Sequence, residues 1–264
     1  MGRLTKRQQK RINYFLREKM ERQQKQDMIH DGRVPKFIER HLPYIRKLAR
    51  NLDQILIVGS MVSPELKPGL IDRFLVLGEI ENIPSVICLN KMDLLEDMSS
   101  AEEISEIYRK IGYPVLLTSA KSAVGLDELR EILQNKRTAL VGHSGVGKSS
   151  LLNAVEPNLQ ITVNEVSKST NKGTHTTTKI RLYTLNPYTE VVDLPGIKLI
   201  DFIDIHRDEA RFFFKEFEEP AQYCKFRDCL HISENNCAVK LAIEKGEINA
   251  MRYKSYLNFV ETLQ

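Results

Sequence analysis

The chain has 264 residues, 42% of them apolar and 28% charged, enough to bury one full domain core and to carry a smaller appended module. No apolar run is long enough to span a bilayer, and no apolar segment follows Met1-Gly2-Arg3-Leu4-Thr5-Lys6-Arg7, so the expectation is a cytoplasmic protein with neither membrane span nor secretion signal. The net charge of +4 hides an asymmetry: residues 1–50 hold 15 Lys/Arg against 5 Asp/Glu, and the rest hold 24 against 30, a basic arm on a mildly acidic body.

That arm comes first. From Lys6 to Gln26 nearly every residue is a good helix former, with Ile12, Phe15, Leu16 and Met20 as a thin apolar stripe, too little to fold alone. Its charge suits a polyanionic partner such as nucleic acid, or else only keeps a solvated helix soluble.

Gly32, Pro35 and Pro43 interrupt the helical pattern, and Gln54-Ile55-Leu56-Ile57-Val58 then reads as a strand buried on both faces. Leu70, Phe74 and Leu77 follow at helical spacing, and a second buried strand spans Pro84 to Leu89. Residues 101–110 read as helix, Pro114–Leu117 as strand, Leu126–Leu133 as helix, and Thr138–Val141 as a strand that runs into a glycine-rich turn. Ile180–Leu185 and Thr189–Leu194 are two further strands about the turn Asn186-Pro187. The alternation predicts a doubly wound α/β sheet. Past Asp204 the chain reads as helical with one irregular Cys/His loop. The boundaries expected are residues 1–45 for the arm and linker, 46–203 for the α/β domain and 204–264 for the C-terminal module.

The turn after the fourth strand is Gly142-His143-Ser144-Gly145-Val146-Gly147-Lys148-Ser149, followed by Ser150 and a helix. This is a phosphate-binding loop in its required strand–loop–helix setting. Glycines let consecutive N–H groups curl around phosphate, the Lys148 ammonium reaches the β and γ oxygens, and Ser149 ligates Mg²⁺. Asn90-Lys91-Met92-Asp93 follows the second strand, where an Asp93 carboxylate accepts from the N1–H and 2-amino groups of guanine. Adenine has neither donor there and would leave the carboxylate unpaired. Ser119-Ala120 after the third strand gives small residues and an N–H for the guanine oxygen.

Asp193-Leu194-Pro195-Gly196 ends the last strand, with Asp193 on the Mg²⁺ side and the Gly196 N–H facing the γ-phosphate. Before it, Gly173-Thr174-His175-Thr176-Thr177-Thr178 offers a hydroxyl for the Mg²⁺ shell, with Thr177 favoured among its neighbours. Ile197 stands where many GTPases carry a glutamine that orients water, and an isoleucine side chain forms no hydrogen bond. His175 is then either the water-positioning group or a surface histidine without a catalytic role. Cys224, Cys229, His231 and Cys237 supply three thiolates and an imidazole, the donor set of a closed structural zinc site, or else pack as ordinary reduced cysteines. Cys88 stands apart in an apolar strand, so the cysteines fit a reducing compartment better than a disulfide framework.

The motifs occur in the order Asn90–Asp93, Ser119-Ala120, Gly142–Ser150, Gly173–Thr178 and Asp193–Gly196, whereas ordinary GTPases begin with the phosphate loop. This permuted order, the loop from His143 to Ser150, the His-Thr-Thr-Thr string and the Cys/Cys/His/Cys cluster resemble the YjeQ/RsgA family from Arg50 to Leu263. The resemblance implies a circularly permuted P-loop GTPase domain with a C-terminal helical zinc domain. It also implies a GTP hydrolase that acts late in small-subunit maturation, binds the small ribosomal subunit and its rRNA, and is stimulated by it. The chain is expected to be a monomer that binds GTP and GDP, and the other reading is an rRNA-binding assembly module that binds GTP with little relevant turnover. Family members usually carry an OB-fold barrel between a basic tail and the GTPase domain, and no strand-rich segment of sufficient length precedes Leu52. Thr174 stands where the family commonly has arginine.

Overall fold

The computed structural model describes residues 51–161, 180–194 and 205–263. The arm, Gly173–Thr178, and Pro195, Gly196 and Ile197 lie outside them. Six strands form one sheet: β1 (Gln54–Ser60), β2 (Ser85–Asn90), β3 (Val115–Leu117), β4 (Arg137–Gly142), β5 (Arg181–Asn186) and β6 (Thr189–Asp193). Their order across the sheet is β3-β2-β1-β4-β6-β5, parallel throughout except where β5 returns antiparallel against β6.

Every residue of β1 and β2 is buried, which explains the unbroken apolar runs without polar alternation. Successive side chains face opposite sides of the sheet. Leu56 and Val58 join Leu126, Leu129 and Leu133 of α3 (Leu126–Leu133) and Leu151 and Leu152 of α4 (Lys148–Val155) in one core. On the opposite face, Ile55 and Gly59 meet α1 (Pro68–Glu81): a Cβ on Gly78 of α1 would lie 3.6 Å from Ile55, and one on Gly59 would lie 3.4 Å from Ile71. Each fully buried Leu, Ile or Phe in these layers contributes roughly 1.5–3 kcal/mol. Register is pinned across the middle of the sheet by Ile57, opposite Ile87 on one side and Val141 on the other.

Helix ends follow local chemistry. Pro68 opens α1, where its missing N–H costs nothing, and Asn82 closes it in a left-handed conformation. The helix α2 (Ser99–Lys110) buries Ala101, Ser105 and Tyr108. Beyond residue 205 the chain builds short 3₁₀ turns, α5 (Glu218–Ala221), α6 (Ala238–Glu244) and α7 (Ala250–Glu261). Asn249 caps α7 by accepting from Met251 N at 2.8 Å. Phe213, Phe214, Phe217, Tyr256 and Phe259 form an aromatic core there that also includes Val76 of α1, so this module packs onto the sheet's helical layer. The described residues from 52 onward form one compact unit.

Candidate functional site

The carboxyl ends of β1, β2, β3, β4 and β6 bring the sequence-predicted loops to one edge of the sheet, where ligands bind in open α/β folds. Asn90 is the hub. Its Nδ2 donates to Val146 O of the phosphate loop at 2.9 Å, and its Oδ1 accepts from Ala120 N at 3.3 Å and from Thr118 Oγ1 at 3.4 Å. Asn90 is 1% exposed, so it ties three separate loops together rather than facing solvent. Lys91 adopts a left-handed backbone and donates from Nζ to Ser63 O, in the segment leading into α1. Met92 is buried and its N–H bonds Thr118 O at 3.1 Å, which leaves Asp93 on the following 3₁₀ turn. There Ser119 Oγ donates to Asp93 Oδ1 at 2.5 Å, fixing one carboxylate oxygen.

The phosphate loop runs from Gly142 through His143, Ser144, Gly145 and Val146 to Gly147, and α4 begins at Lys148, Ser149 and Ser150. Two glycines are required by close approach as well as by positive φ. A Cβ on Gly142 would stand 2.2 Å from Val58 O, and one on Gly147, at φ +96°, would stand 2.3 Å from Asn90 Nδ2. Lys148 Nζ donates to the loop's own carbonyls, Gly142 O at 2.9 Å and His143 O at 3.3 Å. The His143 ring nitrogen Nδ1 lies 2.8 Å from Ser144 O and donates to it. Burial pushes the Lys148 pKa down, against the pull of Asp193.

Asp193 closes β6 beside this loop. Burial lifts its carboxyl above the usual range, opposed by Lys148 and Arg181, and its buried Oδ1 has no hydrogen-bond partner among the described residues. An orphaned buried carboxylate oxygen is costly unless something binds it. His175, Thr177 and Gly196 fall outside the described residues.

The second cluster is Cys224, Cys229, His231 and Cys237, whose ligand atoms all lie within 4.8 Å of one another and can hold a metal ion. Burial pushes the Cys229 thiol up to about 12 and the His231 imidazole down to about 4, so in the absence of a metal ion both are neutral near pH 7. The surrounding backbone is clamped. Glu234 accepts from Leu230 N at 2.6 Å and Ile232 N at 2.8 Å, and Arg211 donates to Cys229 O at 2.8 Å. Tyr253 donates to His231 O at 2.6 Å and Tyr256 to Leu230 O. Cys237 also caps α6 through Lys240 N.

Residues 33–203 match the family model described as RsgA GTPase. Among relatives, a "Small ribosomal subunit biogenesis GTPase RsgA" of Bacillus cereus is 42% identical over 236 residues, covering 89% of this chain and 80% of that protein. The chain belongs to the RsgA GTPase family. The protein of the same description from Bacillus subtilis is 41% identical, with 89% and 79% covered. YjeQ from Thermotoga maritima superposes with a TM-score of 0.69 at 39% identity, covering 81% of this chain and 72% of that one. YloQ, described as a circularly permuted GTPase, superposes with a TM-score of 0.62 at 40% identity, covering 80% and 68%. The chain is thus a GTPase of permuted order, and no helix among its described residues is long and apolar enough to cross a membrane.

One group of residues escaped the sequence reading. Arg252, 1% exposed on α7, donates to Asp72 Oδ1 of α1 at 2.5 Å and to Glu216 Oε1 and Oε2 at 2.6 and 3.1 Å. No sequence signal marks an arginine and an aspartate 180 residues apart as partners.

Proposed function

We propose that this RsgA-family GTPase binds GTP across the joined loops and hydrolyses it in the service of small ribosomal subunit maturation in the cytoplasm. The observation that carries the nucleotide assignment is Asn90, which links the base-side loop, Ala120 and the phosphate loop through one buried amide. Asp93, steadied by Ser119, faces the guanine edge, while Asn90 and the stem of Lys91 hold the base and Ala120 N supports its oxygen. The N–H groups from Gly142 to Ser150 cradle the phosphates. Lys148 leaves its two loop carbonyls for the β and γ oxygens.

Ser149 and Asp193 would hold Mg²⁺, for which the orphaned Asp193 Oδ1 is a fitting ligand. Mg²⁺ held there would supply positive charge to the departing γ-phosphoryl. Thr177 would add a further ligand, the Gly196 N–H would read the γ-phosphate, and His175 would orient the attacking water in place of the missing glutamine.

The Cys/His cluster would hold one structural zinc. Zinc with Zn–S near 2.3 Å and Zn–N near 2.0–2.1 Å needs tetrahedral edges of about 3.8 Å between sulfurs and about 3.6 Å between sulfur and nitrogen. Supporting this, Cys224 Sγ and Cys237 Sγ lie 3.9 Å apart, and His231 Nδ1 lies 3.6 and 3.3 Å from them. The reading takes residues 1–45 as a basic arm that contacts rRNA, 46–203 as the GTPase domain and 204–264 as the zinc module of a monomer.

The test is GTP hydrolysis with and without purified small ribosomal subunits, for the intact chain and for one lacking residues 1–45. Strong arm-dependent stimulation is expected. Equal rates with and without subunits for both chains would overturn the ribosomal role, and absence of GTP binding would overturn the nucleotide site.

A further inference from the structure

The triad of Arg252, Asp72 and Glu216 serves neither the nucleotide chemistry nor the metal set described above. Arg252 sits on α7 next to Tyr253 and one turn from Tyr256, the two residues whose hydroxyls hold the carbonyls of His231 and Leu230. Its guanidinium carbon lies 4.8 Å from the Phe214 ring centre and 5.8 Å from that of Tyr108. Tyr108 and Ser255 add hydroxyls to Asp72. Burial alone would lower the Arg252 pKa, but Asp72 and Glu216 outweigh it and raise it, so the charge is permanent. Desolvating three charges cancels most of their attraction, so such a cluster adds little stability. It does hold two elements in one geometry.

The far end of that link is α1. Ile71, beside Asp72, packs at Gly59 of β1, and Val58 O of β1 lies against Gly142 of the phosphate loop. The segment entering α1 also receives Lys91 Nζ at Ser63 O. Leu66, Ile71 and Phe74 share a small cavity with Gly142, His143 and Val146. The helix gripped by Arg252 therefore backs both nucleotide loops.

We infer that Arg252 is a positioning residue: through α7 and α1 it couples the Cys/His loop to the Asn90–Asp93 and Gly142–Ser149 loops, so that bound nucleotide and bound metal stabilise each other. This rests on the nucleotide and zinc assignments proposed above. Coupling between sites is reciprocal, so it is readable at the metal without any turnover.

Zinc-loaded full-length protein would be mixed with a chromogenic chelator, with and without a saturating non-hydrolysable GTP analogue, after analogue binding has been measured directly. A gain in zinc affinity of about fivefold or more, read from the chelator competition at equilibrium and at the lower end of typical allosteric coupling, is expected. Unchanged affinity at demonstrated saturation overturns the inference, while failure to bind the analogue instead overturns the nucleotide assignment, and failure to load zinc the metal assignment. Arg252→Lys keeps the charge but loses the two-pronged grip, and should abolish the gain and lower kcat more than KM changes. If that variant does not fold, the charge-free Arg252→Met/Asp72→Asn/Glu216→Gln triple replaces it, because neutralising the whole cluster avoids stranding a buried charge. A gain retained in a folded, zinc-loaded variant would show that Arg252 is not the link.

Discussion

Gly147 gives the sharpest quantitative handle on the nucleotide site. Alanine there must hold φ near +96°, which costs an L-residue about 1–2 kcal/mol. Its Cβ would also sit 2.3 Å from Asn90 Nδ2 and displace that amide from Val146 O. Losing the bond and leaving a buried donor and acceptor unpaired costs a further ~1–3 kcal/mol. The sum of about 2–5 kcal/mol corresponds to a loss of roughly 30- to 4,000-fold in GTP affinity. Removing the obstacle first separates the two costs. In an Asn90→Ala background the clash disappears, and Gly147→Ala should cost only the backbone strain, about 5- to 30-fold. The assay is titration with a fluorescent GTP analogue across the four members of the cycle, with circular dichroism to confirm folding. Equal penalties for Gly147→Ala in both backgrounds would refute the contact as the origin of the effect.

Asp93→Asn should weaken GTP binding by a hundredfold or more, since two hydrogen bonds to a charged acceptor are worth about 1.5–3 kcal/mol each; competition binding with GTP and ITP checks it, and an unchanged preference for GTP would refute the assignment. Cys237→Ser should release zinc, as measured by elemental analysis, and lower the melting temperature because the metal-binding energy is lost, while the serine hydroxyl can still cap α6. For pH, the Asp193 carboxyl is raised by burial, so protons compete with Mg²⁺ from a higher pH than at an ordinary aspartate. As pH falls, kcat/KM should drop, and excess Mg²⁺ should move that acid limb to lower pH; a limb insensitive to Mg²⁺ would count against Asp193 as the ligand.

The strands at the sheet centre were legible because burial on both faces leaves only apolar choices: Gln54–Val58 and Pro84–Leu89 lie within a residue or two of the observed bounds. The unread end of β1, Gly59-Ser60, carries no β-branched side chain and is held in the sheet by its neighbours. The edge strand β5 was legible for a different reason, the turn at Asn186-Pro187, since its own residues are mostly exposed or half-buried. Fixed spacing made the phosphate loop and the Cys/His loop readable, because their chemistry demands local residue patterns. Tyr253, Tyr256, Leu257 and Val260 recur at helical spacing on α7, and that stripe packs with Val76 of α1 while its two tyrosines hold the Cys/His loop. Arg252 lies within that stretch but reads as a solvated cation, and Asp72 as a polar break in α1. Only tertiary contact turns them into a pair.

Chain connectivity also limits how far two sites can part. Among the described residues β6 is the last strand, and only ten residues separate Leu194 from Ile205, where the described C-terminal module begins. A trans chain spans at most about 3.3–3.6 Å per residue, so Leu194, next to Asp193, stays within roughly 40 Å of the start of the module that carries the Cys/His cluster, however the packing between them changes.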